Sequence, residues 1–325
     1  MRAACLAIAF IVGCGDDSGS GSANTDATST GGSSESSTVS SSMTSTSPQT
    51  SSESSESSNE ESTTSEGESG SSSSTTGIEG SEGCGLATAD ATLQWVPHTI
   101  DVGGVTRDFW VWLPEPYDPE RPYPVVYQFH GCSSGDERQH NNPPVQDQSG
   151  ADAIHIRGRA IGDCWDTTPN GPDVLFFDAL VAQIEGTLCA DPARRFATGY
   201  SSGAFMTHRV ACDRGDSLRG VASIAGGVGG GECQGQVAAL LIHDFNDDIV
   251  DISASVGARD THIQRNVCST VMPTTPVEPA PCQAYVDCAE GFPVVWCQTS
   301  EQGHSRQDQL AATAFWGFLS ALPPS

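Results

Sequence analysis

Apolar and polar positions alternate along Thr106-Arg107-Asp108-Phe109-Trp110-Val111-Trp112-Leu113, the two-residue period of a half-buried strand, and the pattern stops at Pro114. Pro124-Val125-Val126-Tyr127-Gln128-Phe129 is almost continuously apolar instead, which predicts a central strand covered on both faces. Ala153-Ile154-His155-Ile156 predicts another strand. From Asp173 to Leu188, apolar side chains fall at 174, 177, 180, 181, 184 and 188, which is helical spacing with Asp173 as the expected N-cap. Arg195-Phe196-Ala197-Thr198 reads as a short strand and residues 203 to 211 as a helix. Strands follow at 220 to 225 and 237 to 242, then a helix over 252 to 265. A last strand is expected at 293 to 297. The final helix should run from about 306 to 319, with Leu310, Thr313, Ala314, Phe315, Phe318 and Leu319 on its apolar face. Strands alternating with helices predict an α/β fold, a mostly parallel central sheet with helices on both faces. In such a sheet reactive groups gather at the carboxyl ends of the strands.

Composition limits how much of the chain takes part. Residues 15 to 83 are more than half Ser and Thr, with scattered acids and no Arg. Such a stretch buries too little apolar surface to offset its ordering entropy, so a disordered tether is expected over 14–83. Residues 84–325 remain for one folded domain. Met1-Arg2 and the apolar run from Ala3 to Val12 are too short to span a bilayer and read as a signal peptide over 1–13. The run ends Ile11-Val12-Gly13-Cys14, which is similar to a bacterial lipobox and makes Cys14 the expected lipidation site. The alternative is ordinary secretion with cleavage nearby. Either way the mature chain is expected to be exported, as a cell-surface or outer-membrane lipoprotein or as a secreted protein.

The formal net charge is −27, and the chain has no Lys. The tether holds twelve acids and no base, which leaves 29 acids against 13 Arg in the folded part. This balance argues against nucleic acid or an anionic membrane surface as a partner, so contact with a membrane is expected only through the lipid. Setting aside Cys5 and Cys14, ten of the twelve cysteines remain. In an exported chain they read as a framework of up to five disulfides, and their spacing does not form paired zinc-binding units. Cys268 with Cys288 is one expected pair, since both lie between the acid loop and the last strand. Cys132 with Cys164 is another, provided that the intervening excursion folds back.

Gly199-Tyr200-Ser201-Ser202-Gly203 carries the chemistry. It fits a nucleophile elbow, a sharp turn that lifts a serine between a strand and a helix, with glycines where the turn leaves no room for a Cβ. Gly131-Cys132-Ser133-Ser134-Gly135 fits the same pattern but runs on into polar, helix-breaking sequence, so Ser201 is the expected nucleophile. Asp247 follows the strand at 237 to 242, and His304 follows the last strand. The order Ser, Asp, His is that of α/β-hydrolases. Ser201 would attack an acyl carbon, His304 would carry the proton, and Asp247 would orient the imidazole. By position alone Asp244, Asp248 and Asp251 compete with Asp247. The oxyanion hole is expected from the backbone N–H groups of Ser202 and Cys132. His130 is expected to be structural.

Residues 84 to 325 resemble the feruloyl and acetylxylan esterases of carbohydrate esterase family one and the related polyhydroxybutyrate-depolymerase-like group. The resemblance is carried by Gly83-Cys84-Gly85, Leu188-Cys189-Ala190-Asp191, Arg195 through Ser201, Arg209-Val210-Ala211-Cys212, Leu218 through Ala222, Asn266-Val267-Cys268, Gly291-Phe292-Pro293-Val294 and Gly303-His304. The family's His-Gly-x-x-Asp pattern maps onto 243 to 247, which favours Asp247 as the acid. Asp244 stands where Gly is usual, Ala204 where a second Gly is frequent and Ser305 where Thr is. Cys132, Cys164, Cys282 and Cys297 are additional to the family's cysteines. The resemblance implies an α/β-hydrolase fold, no metal or organic cofactor, and a plant cell-wall polysaccharide ester or another polymeric ester as substrate. It also puts Trp165 beside the acyl pocket, where a packing role is the alternative. The reaction expected is removal of feruloyl or acetyl groups from polysaccharide. Hydrolysis of polyhydroxybutyrate-like polyesters is the second expectation, and an inactive binding lipoprotein the third.

Overall fold

A computed structural model describes residues 79–133 and 141–324. The expected signal peptide, Cys14 and nearly all of the expected tether lie outside the described residues. The last residues of that tether, 81 to 83, belong to the folded part. Ser81 N–H donates to the Ala190 carbonyl at 2.9 Å, and Gly83 N–H to that of Glu185 at 2.7 Å. The cause lies next door: the Cys84–Cys189 disulfide clamps this segment to the start of a central strand.

The strands are β1 (Trp95–Val102), β2 (Val105–Trp112), β3 (Tyr123–Phe129), β4 (Ile154–Gly158), β5 (Ala190–Tyr200), β6 (Gly220–Ile224), β7 (Ala238–Asp244), β8 (Thr275–Pro276), β9 (Cys282–Ala284) and β10 (Val294–Thr299). Among the described residues they form one sheet in the order β1-β2-β4-β3-β5-β6-β7-β10-β9-β8. The run from β4 to β10 is parallel, and antiparallel pairs close both edges. The sequence pattern missed β1, whose side chains are only half-buried on one face and exposed on the other. Its two-residue turn to β2, Gly103-Gly104, has φ of 61° and 84°, which suits a tight hairpin.

The helices are α1 (Gln146–Ser149), α2 (Pro172–Thr187), α3 (Ser202–Asp213), α4 (Ser253–Arg265) and α5 (Asp308–Ser320). Successive strand side chains point to opposite faces and feed two cores. Val125, Tyr127, Phe129, Ala197, Val221, Ala239 and Leu241 meet Phe176, Phe177 and Leu180 of α2, with Met206 and Val210 of α3. Val126, Phe196, Ala222, Ile224, Leu240 and Ile242 meet Ala311, Phe315 and Leu319 of α5. The α/β architecture, a largely parallel sheet between two helical layers, is the one expected.

One local expectation is corrected. Gly171, not Asp173, caps α2, and Pro172 opens the helix. The buried Asp173 carboxylate is taken up elsewhere, by the Arg107 guanidinium at 2.5 Å and the Asp166 N–H at 2.7 Å. A charged partner 66 residues away outweighs a local cap, and pairing is what makes the buried carboxylate tolerable.

Candidate active site

Ser201 sits directly after β5 with φ 55° and ψ −121°, a left-handed conformation that is strained for any residue except glycine. The flanking glycines explain how the turn closes. A Cβ on Gly199 would lie 2.1 Å from the Gly203 carbonyl oxygen, and one on Gly203 would lie 1.8 Å from that of Phe129. The turn therefore presses against the end of β3, and only glycine permits that approach. The competing Ser133 stands in an irregular loop, its N–H bonded to the Asp163 carbonyl at 3.0 Å.

The Ser201 hydroxyl donates to His304 Nε2 at 2.9 Å, and His304 Nδ1 donates to Asp247 Oδ2 at 2.8 Å. A carboxylate can only accept, so Asp247 assigns the ring proton to Nδ1 and leaves Nε2 as the acceptor facing the serine. The other oxygen, Asp247 Oδ1, accepts from the N–H groups of Ile249 (3.0 Å) and Val250 (2.9 Å). Burial pushes the Asp247 carboxyl up, but the Val250 N–H, His304 and the Ile249 N–H outweigh it and hold the group below the usual carboxylate range. The three side chains come from the ends of β5, β7 and β10, as strand-end logic requires.

Ser202, the first residue of α3, directly follows the nucleophile. The N–H groups of Ala204 and Phe205 close onto the Ser201 carbonyl, whereas that of Ser202 has no backbone acceptor among the described residues. The helix N-terminus adds positive potential there. Cys132, the second expected donor, is held by its disulfide to Cys164. Around it, Gly131 N–H donates to Asn141 and Ser133 N–H to Asp163. His130 is fully buried, with Nδ1 donating to Gly131 O at 2.7 Å and Nε2 accepting from Ala160 N–H at 3.2 Å. It braces the loop.

Of the two roles open to Trp165, the side chain shows the packing one: it is only 6% exposed. It packs edge-on against Phe129 with centroids 5.0 Å apart and lies 4.9 Å from the His130 ring. The indole N–H donates to the His130 carbonyl at 2.9 Å, and the backbone N–H to Ser202 Oγ at 2.9 Å. A sequence cannot tell which way a tryptophan near a site faces.

Sequence reasoning missed two residues that hold the histidine. Tyr200 donates its hydroxyl to the His304 carbonyl at 3.2 Å and lays its ring 5.2 Å from the imidazole. Its place inside the elbow pattern was the available signal. The other is Asp244, named above as a rival for the acid and as a departure from the family's Gly; its carboxylate accepts from the Gln302 N–H at 3.0 Å, two residues before His304. All ten domain cysteines pair: 84–189, 132–164, 212–233, 268–288 and 282–297. Both expected pairs are among them. Among the described residues no cluster of His, Cys, Asp or Glu could hold a metal ion, and no helix is long and apolar enough to cross a membrane.

The sheet order and the serine elbow define an α/β-hydrolase. No family model matches the chain. Among curated proteins it is similar to the probable feruloyl esterase C of Aspergillus niger, 32% identical over 197 residues that cover 58% of this chain and 70% of that protein. Feruloyl esterase C of Emericella nidulans is 32% identical over 183 residues, 54% of this chain and 66% of that protein. Feruloyl esterase D of Neurospora crassa is 28% identical over 270 residues, 74% and 90%. The match thus spans about two thirds of the first two relatives. Among solved structures, an acetyl xylan esterase from Aspergillus awamori superposes with TM-score 0.55 at 14% identity, covering 69% of this chain and 99% of that one. The feruloyl esterase module from Clostridium thermocellum gives 0.52 at 12%, covering 75% and 97%; these two likenesses speak for the fold. The chain belongs to the feruloyl esterase family, a family of carboxylic ester hydrolases.

Proposed function

We propose that the chain is an exported serine esterase that releases feruloyl groups, and acetyl groups with them, from plant cell-wall polysaccharide. The reading rests on one observation above all, the hydrogen-bonded chain from Ser201 through His304 to Asp247 at the mouth of a strained elbow. The names of the relatives supply the substrate class.

In this mechanism Ser201 Oγ attacks the ester carbonyl carbon as its proton passes to His304 Nε2. The carbonyl electron pair moves onto oxygen, where the N–H groups of Ser202 and Cys132 receive the charge. When the C–O bond to the sugar breaks, His304 returns the proton to the leaving alcohol. Water then repeats the sequence on the acyl-serine: His304 takes its proton, the tetrahedral adduct collapses, and Ser201 leaves as the alcohol with the free acid as product. Asp247 stays ionised throughout and stabilises the imidazolium.

Wild-type protein and Ser201→Ala are to be compared on methyl ferulate, acetylated xylan and hydroxybutyrate oligomers. Turnover of the first two that Ser201→Ala abolishes is expected. Turnover of the oligomers alone would move the reading to polyester hydrolysis, and turnover that survives Ser201→Ala would end it. Five disulfides support an oxidising compartment. Attachment through a lipid on Cys14 and a tether over 14–83 is part of the same proposal. Cys14→Ser should abolish detergent-phase recovery, and unchanged recovery would remove the lipid from the reading.

A further inference from the structure

We propose that Asp244 is the positioning residue of this site: one buried carboxylate fastens both the acid loop and the histidine loop, and so sets His304 against Asp247 and Ser201. The inference rests on the reading of His304 as the proton carrier.

Asp244 is the last residue of β7, opposite Thr299, the last residue of β10. Beyond this rung the two strands part, one into the loop that carries Asp247 and the other into the loop that carries His304. Asp244 Oδ1 accepts from the Asn246 N–H at 2.9 Å, next to Asp247. Oδ2 accepts from the Thr299 hydroxyl at 2.9 Å and the Gln302 N–H at 3.0 Å, two residues before His304. A single carboxylate therefore spans the gap that the Asp247–His304 hydrogen bond must close.

The histidine loop needs such a tie. Glu301, Gly303 and Gln307 all have positive φ, at 66°, 57° and 45°, and two of the three are not glycine. Strained backbone of this kind persists only where its surroundings over-determine it. Asp244 is 1% exposed, and among the described residues no cation lies within salt-bridge distance of it. A buried charge without a counter-ion is tolerated only where donors surround it, and here those donors belong to the two loops that carry Asp247 and His304. Its acceptors meet only donors. Burial pushes this carboxyl up, but the Gln302 and Asn246 N–H groups, the Thr299 hydroxyl and the Gly303 N–H outweigh it and hold it below the usual range. Asparagine has the same shape, but its amide would turn a donor toward one of these donors.

The test measures kcat and KM on p-nitrophenyl acetate for Asp244→Asn, Thr299→Val, His304→Ala and the double variant Asp244→Asn/His304→Ala. Misplacement of a catalytic group by about 1 Å costs on the order of a hundredfold. Asp244→Asn should therefore lower kcat about 10- to 100-fold, with KM within about twofold. Thr299→Val, which keeps the other two bonds, should lower kcat about threefold or more. With His304 absent, Asp244→Asn should change the residual rate less than about twofold, because nothing remains to be positioned. An equal loss in that background would make Asp244 a general structural residue and overturn the proposal. So would an unchanged kcat in Asp244→Asn. If Asp244→Asn does not fold, Thr299→Val decides, and an unchanged kcat there overturns the proposal. Wild-type turnover in His304→Ala would instead sink the functional reading, and this inference with it. Loss in His304→Ala beside unaffected Asp244 and Thr299 variants would sink this inference alone.

Discussion

Replacing Trp165 should damage every ester substrate alike. The indole fills a buried site against Phe129 and His130, so Trp165→Ala removes a core side chain at a cost of about 3–5 kcal/mol. Trp165→Phe keeps most of that packing and chiefly deletes the N–H that satisfies the His130 carbonyl. Leaving that buried acceptor unpaired costs about 1–3 kcal/mol. In a domain of this size that is roughly a 3–9 °C fall in melting temperature. The catalytic effect follows from what else holds the loop. The Cys132–Cys164 bridge and the bonds from Gly131 to Asn141 and from Ser133 to Asp163 remain. Activity should therefore fall about tenfold, short of the 10²–10³ that follows outright loss of an oxyanion donor. Because the oxyanion is common to all esters, the ratio of kcat/KM on methyl ferulate to that on p-nitrophenyl acetate should not move. Both variants would be assayed on both substrates beside a thermal melt. A loss on the ferulate more than about threefold greater than on the acetate would refute this reasoning and restore Trp165 as a stacking surface.

Gly203→Ala should not yield active enzyme, since its Cβ would sit 1.8 Å from the Phe129 carbonyl oxygen and drive the elbow off β3. Wild-type activity and melting temperature in that variant would show that the elbow has slack the structure denies. Stability should also decline with acid well before the carboxylates titrate. Burial, assisted by Arg157, lowers His155 to about 3, and burial with Arg265 lowers His208 to about 3. Burial with His208 and Arg265 lowers His262 as well. Below the unfolded histidine value of ~6.5 the unfolded chain binds the extra protons, so each group removes up to about 1.4 kcal/mol per pH unit as pH falls toward 3. Asp244 and Asp247 are depressed, so their contribution is complete above ~3.9 and is lost only below it. Urea midpoints at pH 8, 6 and 5 should thus fall steeply below 6.5, and a flat profile from 7 to 5 would contradict the burial of these histidines.

The elements legible in the sequence were those whose pattern is set by burial on a covered face. The fully buried β3 and the spaced apolar side chains of α2 announced themselves, as did the strand, turn and helix around Ser201. β1 did not, because a half-buried edge strand bearing His98, Thr99 and Asp101 carries little apolar signal. Its Gly103-Gly104 turn was the clue. The site was legible as far as chain order reaches, since Ser201, Asp247 and His304 each follow a strand. What each neighbouring carboxylate does was not. By position Asp247 and Asp244 lie in one acidic stretch; the family pattern singled out Asp247 for the imidazole, but only the fold of the 299–304 segment gives Asp244 the backbone beside it. Asp173 was misjudged and Trp165 left between two roles for a shared reason: Arg107 and the His130 carbonyl are distant partners that local sequence does not display.

The clamp at Cys84 has a mechanical consequence. Ser81 and Cys84 grip the chain at Ala190 and Cys189, where β5 begins, and Ser201 stands just past its other end. β5 is irregular between Ala190 and Arg195, so its partner β3 sets the span: Ala190 to Gly199 lies alongside Tyr123 to Phe129, roughly 20 Å at about 3.3 Å per residue. A pull applied through the chain ahead of residue 79 would therefore reach the domain at the end of β5 opposite the reactive serine. A tug on that leader is received by a covalent cross-link at the base of the central strand. A load applied there would enter the sheet along β5, at the strand end opposite the loops that hold Asp247 and His304.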